Sequence, residues 1–261
     1  RVKYLRENDH SKIFLFDVFT PKSRALIGGM NIADEYLNDQ KPTSFYQGGW
    51  HDYMVKLTGE FADSILVGKG KKLKKLITKQ AHSGLEIFMT IKNRFSMRRK
   101  ILSELSRAHT SITIEHGYLT DATIIRRLRA INRKGVQVSV ILPDCSDGVY
   151  HANMHSIHKL LRPSIIPHRH KNTIEIFLYP GMIHAKVILI DESVAIIGSA
   201  NLTYASFDFL HETNAIFRGS DGVVKDLGVQ LQKDIGSSTK ITEKNIPSYS
   251  RLMAWFQAIF I

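Results

Sequence analysis

The feature that most constrains this chain is a residue pattern that occurs twice. Each copy reads His-x-Lys, four mostly apolar residues and Asp, and the two copies begin at His10 and His184. Residues i and i+2 of a strand point to the same face, so this spacing predicts two strands that each present a histidine beside a lysine. A repeat of this kind indicates two equivalent structural halves.

Both copies have the same features downstream. A glycine-containing turn leads to an asparagine, and a histidine followed by an acidic residue comes later. Together with the fixed positions of the pattern, these features define the candidate site: His10, Lys12, Asp17, Gly29, Asn31 and Asp52 in the first copy, and His184, Lys186, Asp191, Ser199, Asn201 and Glu212 in the second.

These residue types suit the chemistry of a phosphate ester. Lysine and the asparagine amide bind non-bridging oxygens and offset the negative charge that grows in the transition state. A neutral imidazole can attack phosphorus to form a phosphohistidine, and a second, protonated imidazole can donate to the leaving oxygen. One histidine cannot do both in the same step, so the two copies are predicted to face each other across one site.

The segment between the two copies alternates strands and helices. Residues 111–118 alternate polar and apolar side chains, as a strand does. Asp121 is a predicted N-cap for a helix whose apolar residues recur at positions 124, 125, 128 and 131, and Gly135 is its predicted stop. Residues 136–142 form the next predicted strand. This order predicts a parallel strand pair and an α/β fold.

The amino-acid composition limits the classes of binding partner but does not select one of them. The chain has 36 Lys and Arg against 24 Asp and Glu, a net charge of +12. This charge favours nucleic acid, an anionic membrane surface or a phosphorylated small molecule. One cysteine, Cys145, excludes an intrachain disulfide framework. The basic run at 69–76 is either a solvated helix face or a headgroup contact, and the apolar tail at 246–261 is either a packed helix or a membrane-interfacial segment.

The repeated pattern resembles the HKD motif of the phospholipase D superfamily. The second copy matches the full form, His-x-Lys-x4-Asp-x6-Gly-Ser-x-Asn, at every fixed position. The first copy has a longer segment between Asp17 and Gly28, and Gly29 stands where the second copy has Ser199. The flanks, including residues 27–36, 50–59 and 180–186, are similar to those of bacterial-type cardiolipin synthases.

The resemblance implies a role for each candidate residue. His10 would be the nucleophile and His184 the general acid and later base. Asp52 would orient His10 and Glu212 would orient His184, while Ser199 would support the phosphate pocket. No metal and no cofactor are implied. The remaining assignments place Lys12, Lys186, Asn31 and Asn201 on the phosphate, with Gly29 beside them, and Asp17 and Asp191 as structural partners near the site.

Three functions follow as hypotheses. The first is a phosphatidyltransferase that makes cardiolipin from phosphatidylglycerol and works at an anionic membrane surface, as a peripheral protein on the cytoplasmic face of the inner membrane. The second is a phosphodiesterase of the same superfamily, either a phospholipid hydrolase or a metal-independent nuclease acting on nucleic acid. The third is a non-enzymatic lipid-binding or interaction module of this fold. The oligomeric state and the acceptor stay open.

The resemblance also implies an architecture. Two pseudo-symmetric lobes would each contain a mixed β-sheet flanked by helices, with the active site at their interface. Residues 1–95 would hold the end of the first lobe, 96–245 the second lobe and 246–261 the tail. Only nine residues precede His10, so equivalence of the lobes predicts that about 80 residues of the first lobe lie upstream of this sequence.

Overall fold

The computed structural model describes residues 8–37, 49–67, 84–89, 96–146, 148–163 and 174–260. These residues form a mixed α/β fold with an eight-stranded sheet, a three-stranded sheet and a two-stranded pair. The strands are β1 Asn8–Asp9, β2 Lys12–Phe16, β3 Arg24–Gly28, β4 Met54–Thr58, β5 Leu85–Met89, β6 Ser111–His116, β7 Gln137–Pro143, β8 Glu175–Tyr179, β9 Lys186–Ile190, β10 Val194–Gly198, β11 Leu210–His211, β12 Thr213–Arg218 and β13 Thr239–Ile241. The helices are α1 Glu60–Val67, α2 Ser96–Leu105, α3 Ala122–Asn132, α4 Tyr150–Leu161, α5 Tyr204–Asp208, α6 Val223–Ser237 and α7 Arg251–Phe260.

The large sheet has the order β13-β8-β7-β6-β9-β10-β12-β5. The predicted parallel pair is present, because β6 and β7 run parallel with Ile112 opposite Val138. Helix α3 connects them, and the Asp121 side chain accepts hydrogen bonds from the backbone N–H groups of Thr123 and Ile124, which caps the helix as predicted. The apolar face of α3 is buried against the sheet.

The repeat folds into two similar antiparallel meanders. The first copy forms β2-β3-β4, and the second forms β9-β10-β12 within the large sheet. Ala25 and Val55 of the first meander share one apolar core with Val187 and Ile197 of the second and with Leu231 of α6. Burial of these side chains against each other holds the two halves together.

Strand β5 belongs to the large sheet. It pairs antiparallel with β12, with Ile87 opposite Ala215. The division predicted at residue 95 therefore does not coincide with the division between the sheets, because this strand precedes residue 96 and completes the edge of the second sheet.

The aspartates of the repeat lie away from the His-Lys pairs, contrary to the prediction that they stand near the site. Asp17 and Asp191 directly follow β2 and β9, and each is five residues along the chain from its lysine, about 17 Å in an extended strand. Both adopt a left-handed backbone conformation, with φ of 49° and 52°, which aspartate tolerates better than most residues. Their role in the repeat is to begin the turn that ends the strand.

Asp191 also connects two strands. Its carboxylate accepts hydrogen bonds from the backbone N–H groups of His109, Thr110 and Ser111 and from the Thr110 hydroxyl. Burial acts to raise the pKa of Asp191, but these backbone donors outweigh it and hold the pKa below its usual value. The stability that this carboxylate contributes is therefore present above the ordinary aspartate pKa and is lost as the pH falls through the lower folded value.

Asp191→Ala is expected to lower the free energy of unfolding by about 1 kcal/mol more than Asp17→Ala, because it removes hydrogen bonds from residues 109–111 that water at these largely exposed donors replaces only in part. Asp17 is exposed and occupies the same kind of turn, so the comparison cancels the cost of placing alanine at positive φ. Urea unfolding of both variants measures the difference. Equal destabilisation would show that the turn conformation alone explains the aspartate.

The C-terminal segment forms the packed helix that was one of the two predictions made for it. Helix α7 packs against α4, and the Gln257 side chain accepts a hydrogen bond from the Ala152 backbone N–H. Its outer face leaves Trp255 and Phe256 exposed. Within the described part of the chain, no helix combines the length and apolar character that crossing a membrane requires. The basic run at 69–76 lies outside the described residues.

Candidate active site

The two His-Lys pairs lie at equivalent points of the two meanders. His10 and His184 each lie two residues before the lysine that begins a strand. The backbone N–H of His10 donates to the carbonyl of His211, and the N–H of His184 donates to the carbonyl of His51. Each histidine is thus fixed to a segment of the opposite copy.

In this arrangement, each histidine contacts a carboxylate from the other copy of the repeat. Nδ1 of His184 lies 2.8 Å from Asp52 Oδ2, and Nδ1 of His10 lies 3.1 Å from both oxygens of Glu212. The prediction that Asp52 orients His10 and Glu212 orients His184 is therefore wrong in its pairing. Each carboxylate directly follows the residue whose carbonyl holds the other copy's histidine, which places it beside that ring.

The carboxylate acceptors determine the tautomers of the two rings. A ring nitrogen that donates to a carboxylate carries its proton, so both rings are protonated at Nδ1. Nε2 is then the nitrogen available for chemistry in each ring. Burial and the adjacent Lys186 lower the pKa of His184, while its hydrogen bond to Asp52 acts in the opposite direction.

The side chain of Glu212 is fully buried, and two serine hydroxyls hold its carboxylate. The hydroxyl of Ser199 donates to Oε2 and the hydroxyl of Ser206 donates to Oε1, each at 2.5 Å. Ser199 also accepts from the Thr213 backbone N–H. Ser199 was predicted to support the phosphate pocket, but its hydroxyl holds the carboxylate that contacts His10. Ser206 was missed by sequence reasoning, because nothing in the sequence pairs it with Glu212.

The first copy has Gly29 where the second has Ser199, and the position of Asp52 explains this difference. A Cβ added at Gly29 would lie 2.4 Å from Asp52 Oδ1, so the absence of a side chain lets the Asp52 carboxylate approach the backbone. The first copy therefore combines glycine with a short acid, whereas the second combines Ser199 with the longer Glu212. The two halves reach a similar carboxylate position with different residues.

Gly29→Ala is expected to lower kcat by about 10²-fold, because the new methyl group displaces Asp52 from His184 by roughly 1 Å. Gly236→Ala is the control, since a Cβ there meets nothing within 4 Å. Steady-state kinetics with unfolding curves of both variants separates a catalytic effect from a folding defect. Full activity in Gly29→Ala would show that Asp52 tolerates displacement.

Both lysines are buried and lie against the histidines. Nζ of Lys12 donates to the carbonyl of His10 at 2.8 Å, and Nζ of Lys186 donates to the carbonyl of His184. Burial lowers the pKa of Lys12, and the charges of Glu212 and Asp52 act in the opposite direction. The charge of Lys12 in turn contributes to lowering the pKa of His184. Lys12 thus lies within electrostatic reach of both carboxylates and of the second copy's histidine.

Aromatic residues that sequence reasoning did not select surround His184. The Tyr36 hydroxyl lies 2.8 Å from His184 Nδ1, and the Trp50 ring centroid lies 5.5 Å from the imidazole. The Tyr118 ring lies 6.5 Å from His184 and 6.0 Å from Nζ of Lys186. The family-like flanks at 27–36 and 50–59 contained two of these residues, which was the available signal.

The two asparagines differ in environment. Asn201 is buried, and its Oδ1 has no hydrogen-bond partner within the described ranges. Asn31 is exposed and hydrogen-bonded to Tyr36. A buried amide oxygen without a partner is unusual, because such groups are costly to leave unpaired. The unpaired atom of Asn201 is an acceptor, so any contribution of this residue to a phosphate comes from its amide N–H groups and not from this oxygen.

The geometry defines a class of protein before any comparison of whole sequences. Two crossed His–carboxylate pairs and two buried lysines lie on a duplicated meander. The fold is similar to that of Nuc from Salmonella typhimurium, a phospholipase D family member, with a TM-score of 0.52 and 18% identity over 60% of this chain and 99% of that chain. It is also similar to phosphatidylserine synthase from Haemophilus influenzae, with a TM-score of 0.70 and 12% identity over 97% of this chain and 68% of that chain. The fold is that of the phospholipase D superfamily.

The family can be stated more narrowly. The chain belongs to the family described as "Cardiolipin synthase, PLD-like domain", which matches residues 101–235. The chain is 26% identical over 265 residues to cardiolipin synthase 1 of Staphylococcus epidermidis, covering 92% of this chain and 50% of that protein. It is 27% identical over 267 residues to the major cardiolipin synthase ClsA of Bacillus subtilis, covering 91% and 50%. The chain thus spans about half the length of these relatives.

Proposed function

We propose that this chain carries the catalytic site of a phosphatidyltransferase that works through a phosphohistidine. In the first step Nε2 of His10 attacks phosphorus, an N–P bond forms and the P–O bond to the leaving group breaks. The leaving oxygen takes the proton of His184 Nε2. In the second step an acceptor hydroxyl gives its proton to His184 and attacks phosphorus, which forms the new P–O bond and releases His10.

The single observation that carries this proposal is the crossed pair of histidines held at Nδ1 by buried carboxylates. It leaves two Nε2 atoms free for one site, as a two-step transfer needs. The lysines supply positive charge for the phosphate, together with Asn201 and Asn31 as further donors. A bound phosphodiester places negative charge beside Lys12 and Lys186, and this offsets the lysine charge that lowers the pKa of His184.

We infer the substrate from the relatives. Proteins named cardiolipin synthase match more than nine-tenths of this chain, so the proposed donor is phosphatidylglycerol. A second phosphatidylglycerol is the proposed acceptor. The balanced reaction then converts two phosphatidylglycerol molecules into cardiolipin and glycerol, with the phosphoryl group passing through His10.

Product analysis with labelled phosphatidylglycerol vesicles tests the proposal. Cardiolipin and glycerol in equal amounts are the expected products, and adding phosphatidylethanolamine shows whether it serves as an acceptor. Phosphatidic acid in place of cardiolipin would mean that water is the acceptor and that the protein is a phospholipid hydrolase. Metal-independent cleavage of single-stranded DNA without any lipid product would replace the proposal with a nuclease.

We also infer peripheral contact with an anionic membrane surface. Helix α7 packs through Ala254 and presents aromatic residues outward, and helix α5, next to it, does the same. Such an aromatic surface on a basic chain suits the headgroup region. Co-sedimentation with phosphatidylglycerol vesicles is the test, with failure to bind as the contradicting result. The exposed residues are Tyr204, Phe209, Leu252, Met253, Trp255 and Phe256.

A further inference from the structure

A buried polar cluster lies beside the active site and takes no part in the steps above. Nε2 of His51 lies 3.1 Å from Glu115 and 3.3 Å from Asp234. The Tyr53 hydroxyl lies 2.8 Å from Glu115 and 2.7 Å from Asp234. The imidazole of His51 stacks on Tyr179, with ring centroids 5.0 Å apart.

The cluster joins the two copies of the repeat. His51 and Tyr53 precede β4 of the first meander, whereas Glu115 is at the end of β6 and Asp234 is on α6 of the second half. The Glu115 side chain is fully buried, and that of Asp234 is 5% exposed. Burial raises the pKa of Glu115 and acts in the same direction on Asp234, whereas hydrogen bonds from His51 and Tyr53 hold the pKa of Asp234 below its usual value. A positive partner therefore stabilises the charged form of this buried pair.

His51 is also fixed directly to the catalytic histidine. Its backbone N–H donates to the Met182 carbonyl, and its own carbonyl accepts from the His184 N–H. The next residue, Asp52, holds His184 Nδ1. Any shift of His51 therefore moves both groups that position His184.

We propose that His51 is a positioning residue whose charged imidazole anchors the segment 51–53 to the second half and so sets Asp52 on His184. His51 makes no contact with the substrate in this role. This role rests on the proposed function only where its effect is measured as catalysis.

The surroundings of His51 favour its charged form. Burial acts against the charge, but the hydrogen bond to Asp234 and the ion pair with Glu115 outweigh it and raise the pKa of His51 to about 10. The charged and titratable groups that face the ring are Glu115, Asp234, Tyr53 and Tyr179. Gln230 donates to the other oxygen of Asp234 at 2.9 Å, so that carboxylate is itself held in place.

Nuclear magnetic resonance of the protein with ¹⁵N-labelled histidine tests the proposal without any activity. The expected result is that both ring nitrogens of His51 stay protonated at pH 8, with the resonance assigned by its loss in His51→Gln. The His184 Nδ1–H signal is expected to weaken in His51→Gln and to return in His51→Arg, because arginine restores the positive charge. A neutral His51 at pH 8, or identical His184 signals in all three proteins, would overturn the proposal.

Kinetics supply the second readout. His51→Gln is expected to lower kcat by about 10²-fold with KM within a few-fold, since a misplaced Asp52 affects the reacting geometry more than binding. His51→Arg is expected to restore most of the rate, and Glu115→Gln in the His51→Gln background to restore part of it by removing an unpaired carboxylate. His109→Gln, an exposed histidine, is the control.

The outcomes separate this proposal from the proposed function. If the wild-type protein makes no lipid product, the kinetic comparison is lost, but the resonances of His51 and His184 still decide the positioning role. Because His51, Glu115 and Asp234 lie close enough to hold a cation, elemental analysis of the purified protein accompanies the measurement. One equivalent of a divalent metal, with Nε2 of His51 unprotonated, would overturn the charged-imidazole account.

Discussion

His184→Ala is expected to lower the rate of phosphatidyl transfer by about 10³- to 10⁴-fold, because the leaving oxygen then departs without a proton. His10→Ala is expected to lower it at least as far, because no phosphohistidine can form. The two losses have different causes, and one substrate distinguishes them. An aryl phosphodiester with an acidic leaving group needs no general acid in the first step.

With that activated substrate, His184→Ala is expected to regain release of the aryl group and to accumulate phosphoenzyme, whereas His10→Ala stays inactive. Peptide mapping after rapid quenching is expected to find the label on His10. Release of the aryl group by His10→Ala and not by His184→Ala, with the label on His184, would reverse the two roles. Unfolding curves of both variants exclude a folding defect as the cause.

Asp52→Asn is expected to lower kcat by about 10²- to 10⁴-fold with little change in KM, because an amide no longer selects the productive tautomer of His184. Glu212→Gln is expected to act in the same way through His10. The ring resonances of the two histidines test the crossed pairing more directly than the loss of activity does. The ring resonances of His184 should change in Asp52→Asn, and those of His10 should change in Glu212→Gln.

The opposite pairing of resonances would contradict the crossed arrangement. Asp221→Asn serves as the control, because Asp221 is exposed on the turn before α6. A third result, in which both rings respond to either substitution, would mean that the two carboxylates are interchangeable through movement of the halves.

The elements that follow from local periodicity were predictable. The strand–helix–strand unit around Asp121 is present with the predicted cap and apolar face. These elements depend on the spacing of apolar residues within about a dozen positions, so each can be predicted from its own segment of the sequence.

The membership of the sheets was less predictable. Strand β5 completes the edge beside β12, although it lies closer in sequence to the first copy's strands. Edge pairing depends on which backbone groups are left free once the other strands have assembled, and no local pattern encodes that. Asp17 and Asp191 are a similar case, since a fixed position in a repeat does not distinguish a turn residue from a site residue.

The sequence by itself determined the residue types of the site, because both copies of the repeat carry them at corresponding positions. Only the tertiary structure decided which acid meets which histidine. His10 and Glu212 are 202 residues apart, and Asp52 and His184 are 132 apart. Their pairing depends on two parallel contacts between segments of opposite copies, and those contacts form when the apolar faces of the two meanders pack together.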